Sequence, residues 1–144
     1  LGRSLLTLPG GGAAGGFGAG SVAFLGARLQ MGIEAVLDLT DFDRLAADAY
    51  LVITGEGRLD SQSLRGKVVV GVARRARALG VPVVALVGSS ETDIAAAYDA
   101  GVTAVFPINP APTTLSEALA YARTHLAFTA ENVLRFARCL EENR

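Results

Sequence analysis

The sequence predicts an α/β fold whose parallel sheet is laid down as β-α-β-α-β-α over residues 49–144. Three observations predict it. Residues 50–54 (YLVIT), 83–87 (VVALV) and 104–106 (AVF) are short apolar, β-rich runs bounded by Gly or Pro, the pattern of strands buried on both faces. Between and after them, apolar residues recur at helical spacing, so each strand is followed by a crossover helix. Finally, 144 residues that are 51% hydrophobic and 19% charged suit one compact domain with a real core, which excludes disorder for most of the chain.

Taken in order, residues 5–20 (LLTLPGGGAAGGFGAG) are too glycine-dense for an ordinary strand or mid-helix and predict a turn or ligand loop. Val22, Phe24, Leu25 and Leu29 then repeat at near-helical spacing, so a helix starts inside the glycines. Residues 33–39 read equally as helix or strand, and Asp41 and Asp43 ahead of Leu45 and Ala46 predict a short capped helical turn. The first strand, 50–54, ends abruptly at Gly55, and residues 55–66 form a polar loop. Residues 67–79 place Val69, Val72, Ala73, Ala76 and Leu79 on one helical face and Arg74, Arg75 and Arg77 on another, which favours helix despite the VVV run. Pro82 introduces the second strand, 83–87. Ser90 with Asp93 predicts a cap for a short helix that Gly101 stops. After the third strand, Pro107, Pro110 and Pro112 stiffen a loop. Thr114 with Glu117 then forms a T-x-x-E box opening a helix through Leu126, and a last helix covers 131–140. Phe24, Phe106, Phe128 and Phe136 fall at expected core positions. Three strands are half a usual parallel sheet, and the chain opens at Leu1 without an initiator Met, so the expectation is that the missing strands lie in sequence that is not here.

Charge narrows the function classes. Thirteen basic residues against 14 acidic ones leave a net charge of -1 and no broad basic surface for nucleic acid or anionic lipid. The apolar runs fall far short of the ~20 residues that span a bilayer. One cysteine, Cys139, and no leader-like segment predict a reducing, cytoplasmic setting.

Ligands of open parallel sheets gather at the carboxyl ends of strands, which directs attention to GEGRLDSQSLRGK, residues 55–67. This stretch combines Gly55 and Gly57, the carboxylates Glu56 and Asp60, the amide Gln62, and the cations Arg58, Arg65 and Lys67, the only lysine in the chain. Phosphoryl transfer needs cations on phosphate oxygens and hard carboxylates that recruit Mg²⁺ more than it needs a strong nucleophile, so these residue types match it. Solvated loop charges are the alternative reading of the same residues. Lys67 stands at a helix start, where the macrodipole favours anions, so a bound anion would compensate it. The spacing does not match G-x-x-x-x-G-K-[ST], and GEGRLD places Asp60 where a dinucleotide fingerprint needs its third Gly. In the earlier run, Gly18, Gly20 and Ala23 match that fingerprint loosely but follow no clear strand. The run reads either as tight packing or hinge, or as backbone N–H groups that capture an anion. His125 and Cys139 lack partners at ligand or catalytic spacing and read as ordinary helix residues, Cys139 as packing. There is no Ser-His-Asp pattern.

Residues 9–20 (PGGGAAGGFGAG), 51–67 (LVITGEGRLDSQSLRGK), 71–73 (GVA) and 104–108 (AVFPI) together resemble the bacterial glycerate 2-kinases, and the likeness runs from about residue 8 to residue 140. The resemblance implies ATP-dependent phosphorylation of D-glycerate, with 2-phosphoglycerate as the expected product, ATP and Mg²⁺ as the cofactors, and a two-domain protein. In that architecture residues 1–48 are the end of a second, inserted α/β domain, and residues 49–144 are the C-terminal part of a flavodoxin-like, Rossmann-like domain built from both chain termini. It also implies the roles. Asp60 and Lys67 are catalytic, and Glu56 and Asp60 hold Mg²⁺ or take the glycerate hydroxyl proton. Gly10, Gly11, Gly12, Gly15, Gly16, Gly55, Gly57, Arg58, Gln62 and Arg65 hold substrate or phosphate. The partners are D-glycerate, ATP and the remainder of the kinase chain, with a homodimer left open. Val69 stands where the family commonly has Pro, and the family's N-terminal Asp-Ser-Phe-Lys segment is absent, so the isolated chain is expected to be inactive. A non-catalytic nucleotide-binding module is the alternative class, and a dinucleotide oxidoreductase the third.

Overall fold

The structure, a computed structural model, describes residues 5, 7–60 and 68–142. The described elements are α1 (Ala13–Leu25), α2 (Gly32–Leu39), α3 (Phe42–Ala46), β1 (Val52–Leu59), α4 (Val68–Ala78), β2 (Val83–Ser90), α5 (Ala95–Ala100), β3 (Ala104–Pro107) and α6 (Leu115–Glu142). The strands form one sheet in the order β1-β2-β3, both pairs parallel, with Val52 opposite Val83 and Val84 opposite Ala104. This is the expected β-α-β-α-β-α arrangement.

The first strand is longer than its sequence suggests. β1 does not stop at Gly55 but runs through Glu56, Gly57 and Arg58 to Leu59, still in register with β2 to the Leu59–Ser90 pair. Glycine acts here as a close-approach residue rather than a breaker, because a Cβ at Gly55 would sit on the Leu86 carbonyl oxygen of β2. The extension is held at its end by Leu59, which is fully buried in the core. β2 likewise extends beyond Val87 to Ser90.

The α4 side of the sheet carries the main core: Leu59, Val69, Ala73, Val83, Ala85 and Val87 interlock with no more than 1% of any exposed. Each fully buried Val there contributes roughly 1.5–3 kcal/mol relative to an exposed one. α4 was expected to bury Val69, Val72, Ala73 and Ala76, and it does, together with Val70 and Gly71. α2 resolves the ambiguity of residues 33–39 as a helix, and it lies so close to α4 that a Cβ on Gly71 would overlap Ile33. α3 forms as expected, but Asp41 adopts a left-handed conformation (φ 55°), caps nothing and pairs instead with Arg44.

The α6 side is thinner. Val84 and Leu86 pack against Val133, the one buried side chain of α6 among its described residues. The capping box is real: Glu117 N–H donates to the Thr114 hydroxyl (3.3 Å), while Thr114 N–H and Oγ1 donate to the Glu117 carboxylate (3.0 and 2.7 Å). The two helices expected after it are one, 28 residues long without a break. The aromatic core expected from sequence is not formed. Phe24, Phe128 and Phe136 are 76%, 61% and 65% exposed, Phe106 is also exposed, and so is Cys139. The periodicity marks an apolar face correctly; among the described residues nothing lies over it. The Ser90 cap is also absent, since Ser90 belongs to β2 and α5 starts only after Ile94, with no side-chain cap. Gly101 does end α5, in a left-handed turn (φ 114°).

Candidate active site

Along β1 and the carboxyl half of β2, on the α6 face of the sheet, lies a cleft of about 740 Å³, roofed by α6 and by the loop after β3. Its strand wall is Ile53, Thr54, Gly55, Glu56 and Gly57 of β1 with Leu86, Gly88 and Ser89 of β2. Leu115, Leu119 and Leu126 of α6 face them, and Ile108, Asn109 and Thr113 complete the rim. Glycine at 55 and 88 shapes this wall. A Cβ at Gly88 would overlap the Gly57 carbonyl oxygen, just as one at Gly55 would overlap that of Leu86, so the two strand ends close up because both side chains are missing.

Glu56 contributes to the β1 wall of the cleft, but its register partner is Val87 of the main core, so its side chain lies on the α4 face of the sheet rather than toward Leu86 and α6. Its Oε1 is buried and has no hydrogen-bond partner among the described residues. A buried carboxylate oxygen left unpaired costs about 1–3 kcal/mol or more, so such an atom marks a place where a ligand donor or cation completes the site. One strand-turn further on, the Arg58 guanidinium lies 3.8 Å from the Asp60 carboxylate and 3.3 Å from Glu91. Arg58 and Asp60 thus form a charged rim beyond the residues that line the cleft.

The structure therefore brings together Gly55, Glu56 and Gly57 in one wall and places Arg58 and Asp60 beside each other at its outer end. Gln62, Arg65 and Lys67 lie outside the described residues. The glycine run is built as the sequence suggests, a turn entering α1, with Gly10, Gly15 and Gly16 at positive φ. Ala14 also adopts positive φ, and the first turn is non-helical through Gly16. Leu29 borders Gly10, and Leu8 and Ala19 border Gly11; Gly12, Gly15 and Gly16 face open space, and none of the five lines the cleft.

Sequence reasoning overlooked Asn109. Its Nδ2 donates to the Gly88 carbonyl (2.7 Å) and its Oδ1 lies 3.3 Å from His125 Nδ1, so the amide is fixed at both ends between β2 and α6. The His125 ring is itself stacked on Tyr121, 5.9 Å between centroids. The available signal was position, the second residue past the carboxyl end of β3.

No group of three or more His, Cys, Asp or Glu side chains among the described residues could share a metal ion. Mg²⁺, however, is ordinarily held by one or two carboxylates together with substrate phosphates, and among the described residues the unpaired Glu56 oxygen is a single carboxylate of that kind. No helix among the described residues is long and apolar enough to cross a membrane.

Comparison with known proteins places the geometry in context. The family model described as "Glycerate kinase family" matches residues 1–138. A glycerate kinase from Bacillus cereus is 48% identical over 126 residues, which is 88% of this chain and 33% of the relative. A glycerate 2-kinase from Escherichia coli K12 is 43% identical over 126 residues, again 88% and 33%. Among solved structures, the one described as glycerate kinase 2 from Salmonella typhimurium LT2 superposes with a TM-score of 0.71 at 43% identity, covering 92% of this chain and 34% of that one. The chain spans about a third of the length of the curated relatives it matches.

Proposed function

The chain belongs to the glycerate kinase family, and from that premise we propose that it forms one wall of an ATP-dependent kinase site that phosphorylates D-glycerate, with 2-phosphoglycerate as the product. The observation that carries the reading is the buried Glu56 oxygen, unpaired among the described residues, on a β1 stretch whose opposite face lines a cleft of the α/β sheet. In this reading a glycerate hydroxyl oxygen attacks the γ-phosphorus of ATP, the bond to the β,γ-bridging oxygen breaks, and the hydroxyl proton passes to the Asp60 carboxylate. Arg58, Arg65 and Lys67 offset the negative charge of the phosphates, with Gln62 as a neutral donor beside them. Glu56 and Asp60 are the residues that would hold Mg²⁺, whose contribution when bound is to neutralise phosphate charge. Gly55 and Gly57 leave the strand backbone bare for close approach, and the N–H groups of the run from Gly10 to Gly16 hold an anionic group of the substrate.

Two thirds of a relative's length lies outside this chain, and the exposed apolar face of α6 is the surface on which the remainder of the kinase chain packs. The 144 residues alone are therefore inactive. The test is ATP-dependent phosphorylation of D-glycerate in the longer chain that carries this sequence. Asp60→Asn and Lys67→Ala are expected each to lower kcat by about 10²-fold or more. Near-native kinetics in both, or turnover by the 144-residue chain alone, overturns the reading.

A further inference from the structure

Two neighbouring residues, Leu29 and Gln30, are held by different parts of the molecule. Leu29 lies over the glycine run, its Cδ1 3.8 Å from where a Cβ on Gly10 would stand and 3.3 Å from one on Gly18. That run folds on itself, with Gly11 N–H donating to Leu8 C=O (2.9 Å) and Ala19 N–H to Gly11 C=O (3.0 Å), and α1 buries none of its side chains. Gln30 Nε2 instead donates to Asp38 Oδ2 of α2 (3.0 Å).

From Gln30 onward the contacts belong to the sheet. Ile33 fills the space over Gly71 of α4, and Leu37 and Ala46 are buried. Phe42 and Ala49 pack against the main core. One side chain ties this together. The Arg75 guanidinium of α4 grips Asp43 of α3 with Nε and Nη2, both at 2.9 Å, while Nη1 reaches Asp38 (2.8 Å) and Glu34 (3.1 Å) of α2. Such a bidentate, three-carboxylate arrangement fixes orientation as well as charge. The segment into β1 is tied as well, Ala49 N–H to Ala46 C=O (3.0 Å) and Val52 N–H to Pro82 C=O (2.9 Å). By contrast, α1 ends at Gly26 in a left-handed conformation (φ 63°), residues 26–31 carry neither helix nor strand, and Met31 is extended before α2.

We propose that the chain pivots at residues 29–31, that the glycine run and α1 move as a body separate from the sheet, and that Arg75 anchors α2 and α3 to the sheet side of the pivot. The mechanical boundary then lies well before the 48/49 division expected from sequence, and α2 and α3 travel with α4. A hinge of this kind absorbs its motion in a few residues at element ends. The inference concerns which parts move together and stands independently of the kinase reading.

Limited trypsin digestion of the longer chain tests it, because Arg28 sits at the pivot and Arg44 in the anchored α3, and both are exposed. Cleavage after Arg28 is expected to be at least about ten-fold faster than after Arg44, since local opening governs cutting. Arg75→Ala is expected to bring Arg44 cutting to within about three-fold of Arg28 while leaving Arg28 cutting unchanged. Equal cutting in the unsubstituted chain, or an Arg44 rate unaltered by Arg75→Ala, overturns the proposal. Should that variant not fold, hydrogen exchange on the unsubstituted chain decides. Amides 33–46 exchanging as slowly as 68–78, with 27–31 faster, supports it, and 47–51 exchanging faster than 27–31 contradicts it.

Discussion

Replacing Gly88 by Ala drives a methyl group into the Gly57 carbonyl oxygen of the neighbouring strand, a backbone atom that no rotamer change can move aside. To restore ordinary contact the strand ends must part by roughly 1 Å, and overpacking of this kind costs about 1–3 kcal/mol. Gly55→Ala meets the Leu86 carbonyl in the same way and is expected to cost as much. Gly57→Ala is the internal control, because a Cβ there meets open space and Ala is a better strand residue than Gly, so its effect is expected within about ±0.5 kcal/mol. Urea unfolding of the three variants provides the measurement. With a slope of about 1–3 kcal/mol/M, the first two midpoints should fall by about 0.3–3 M and the third should not move. Equal effects at Gly57 and Gly88, or a neutral Gly88→Ala, would refute the claim that these glycines exist to let β1 and β2 close at the site. In the longer enzyme the same 1 Å displacement is expected to lower kcat by about 10²-fold.

Other outcomes follow from single contacts. Val133→Ala, which removes the buried anchor of α6, should destabilise the chain by about 1.5–3 kcal/mol, whereas Phe136→Ala should stay within about 0.5 kcal/mol in the isolated chain and cost several-fold more in the longer one; equal effects of Phe136→Ala in both contexts would contradict the packing role given to α6. Hydrogen bonds, first from the Thr114 hydroxyl, then from the Thr114 N–H and the Thr113 hydroxyl, hold the Glu117 carboxyl below its ordinary 4.5. A depressed folded pKa gives a contribution that is complete above 4.5 and is lost as pH falls through the folded value. The urea-midpoint difference between the native chain and Thr114→Ala should therefore shrink below pH 4.5 and be constant above it. Asp38 is likewise lowered from 3.8, chiefly by its hydrogen bond from Arg75 and then by Gln30, so exchange of α2 amides should accelerate as pH drops below 3.8 and not at neutral pH.

Where period and composition speak directly, the fold was legible. The three parallel strands, the helical face of α4 and the Thr114–Glu117 box follow from residues that satisfy their own local preferences. Legibility failed where distant chain decides. Gly55 reads as a breaker, yet its missing side chain is what permits pairing with Leu86, a partner 31 positions on. Phe128 and Phe136 announce an apolar stripe, but a stripe specifies a partner surface without saying whether the same chain provides it. The uninterrupted course of α6 was legible and was overlooked, since no Gly or Pro separates its two apolar stretches. At the site, Glu56 was recognisable from its residue type, though it lies within β1 and not in a loop beyond it. The pinning of Asn109 by Gly88 and His125 was not, since it joins three elements far apart in sequence. The anchoring of α2 and α3 through Arg75 was hidden for the same reason.

Glu56→Gln, studied in the longer chain, tests the central claim most directly by reading stability and turnover together. Replacing a buried, unpaired carboxylate by a neutral amide relieves a desolvation cost, so the thermal midpoint should hold or rise. In the proposed reading the same change removes a ligand for phosphate-bound Mg²⁺, so kcat for D-glycerate phosphorylation should fall by about 10²-fold or more. Unchanged turnover, or a lower thermal midpoint that accounts for lost activity, would contradict the account and return Glu56 to the role of a structural side chain.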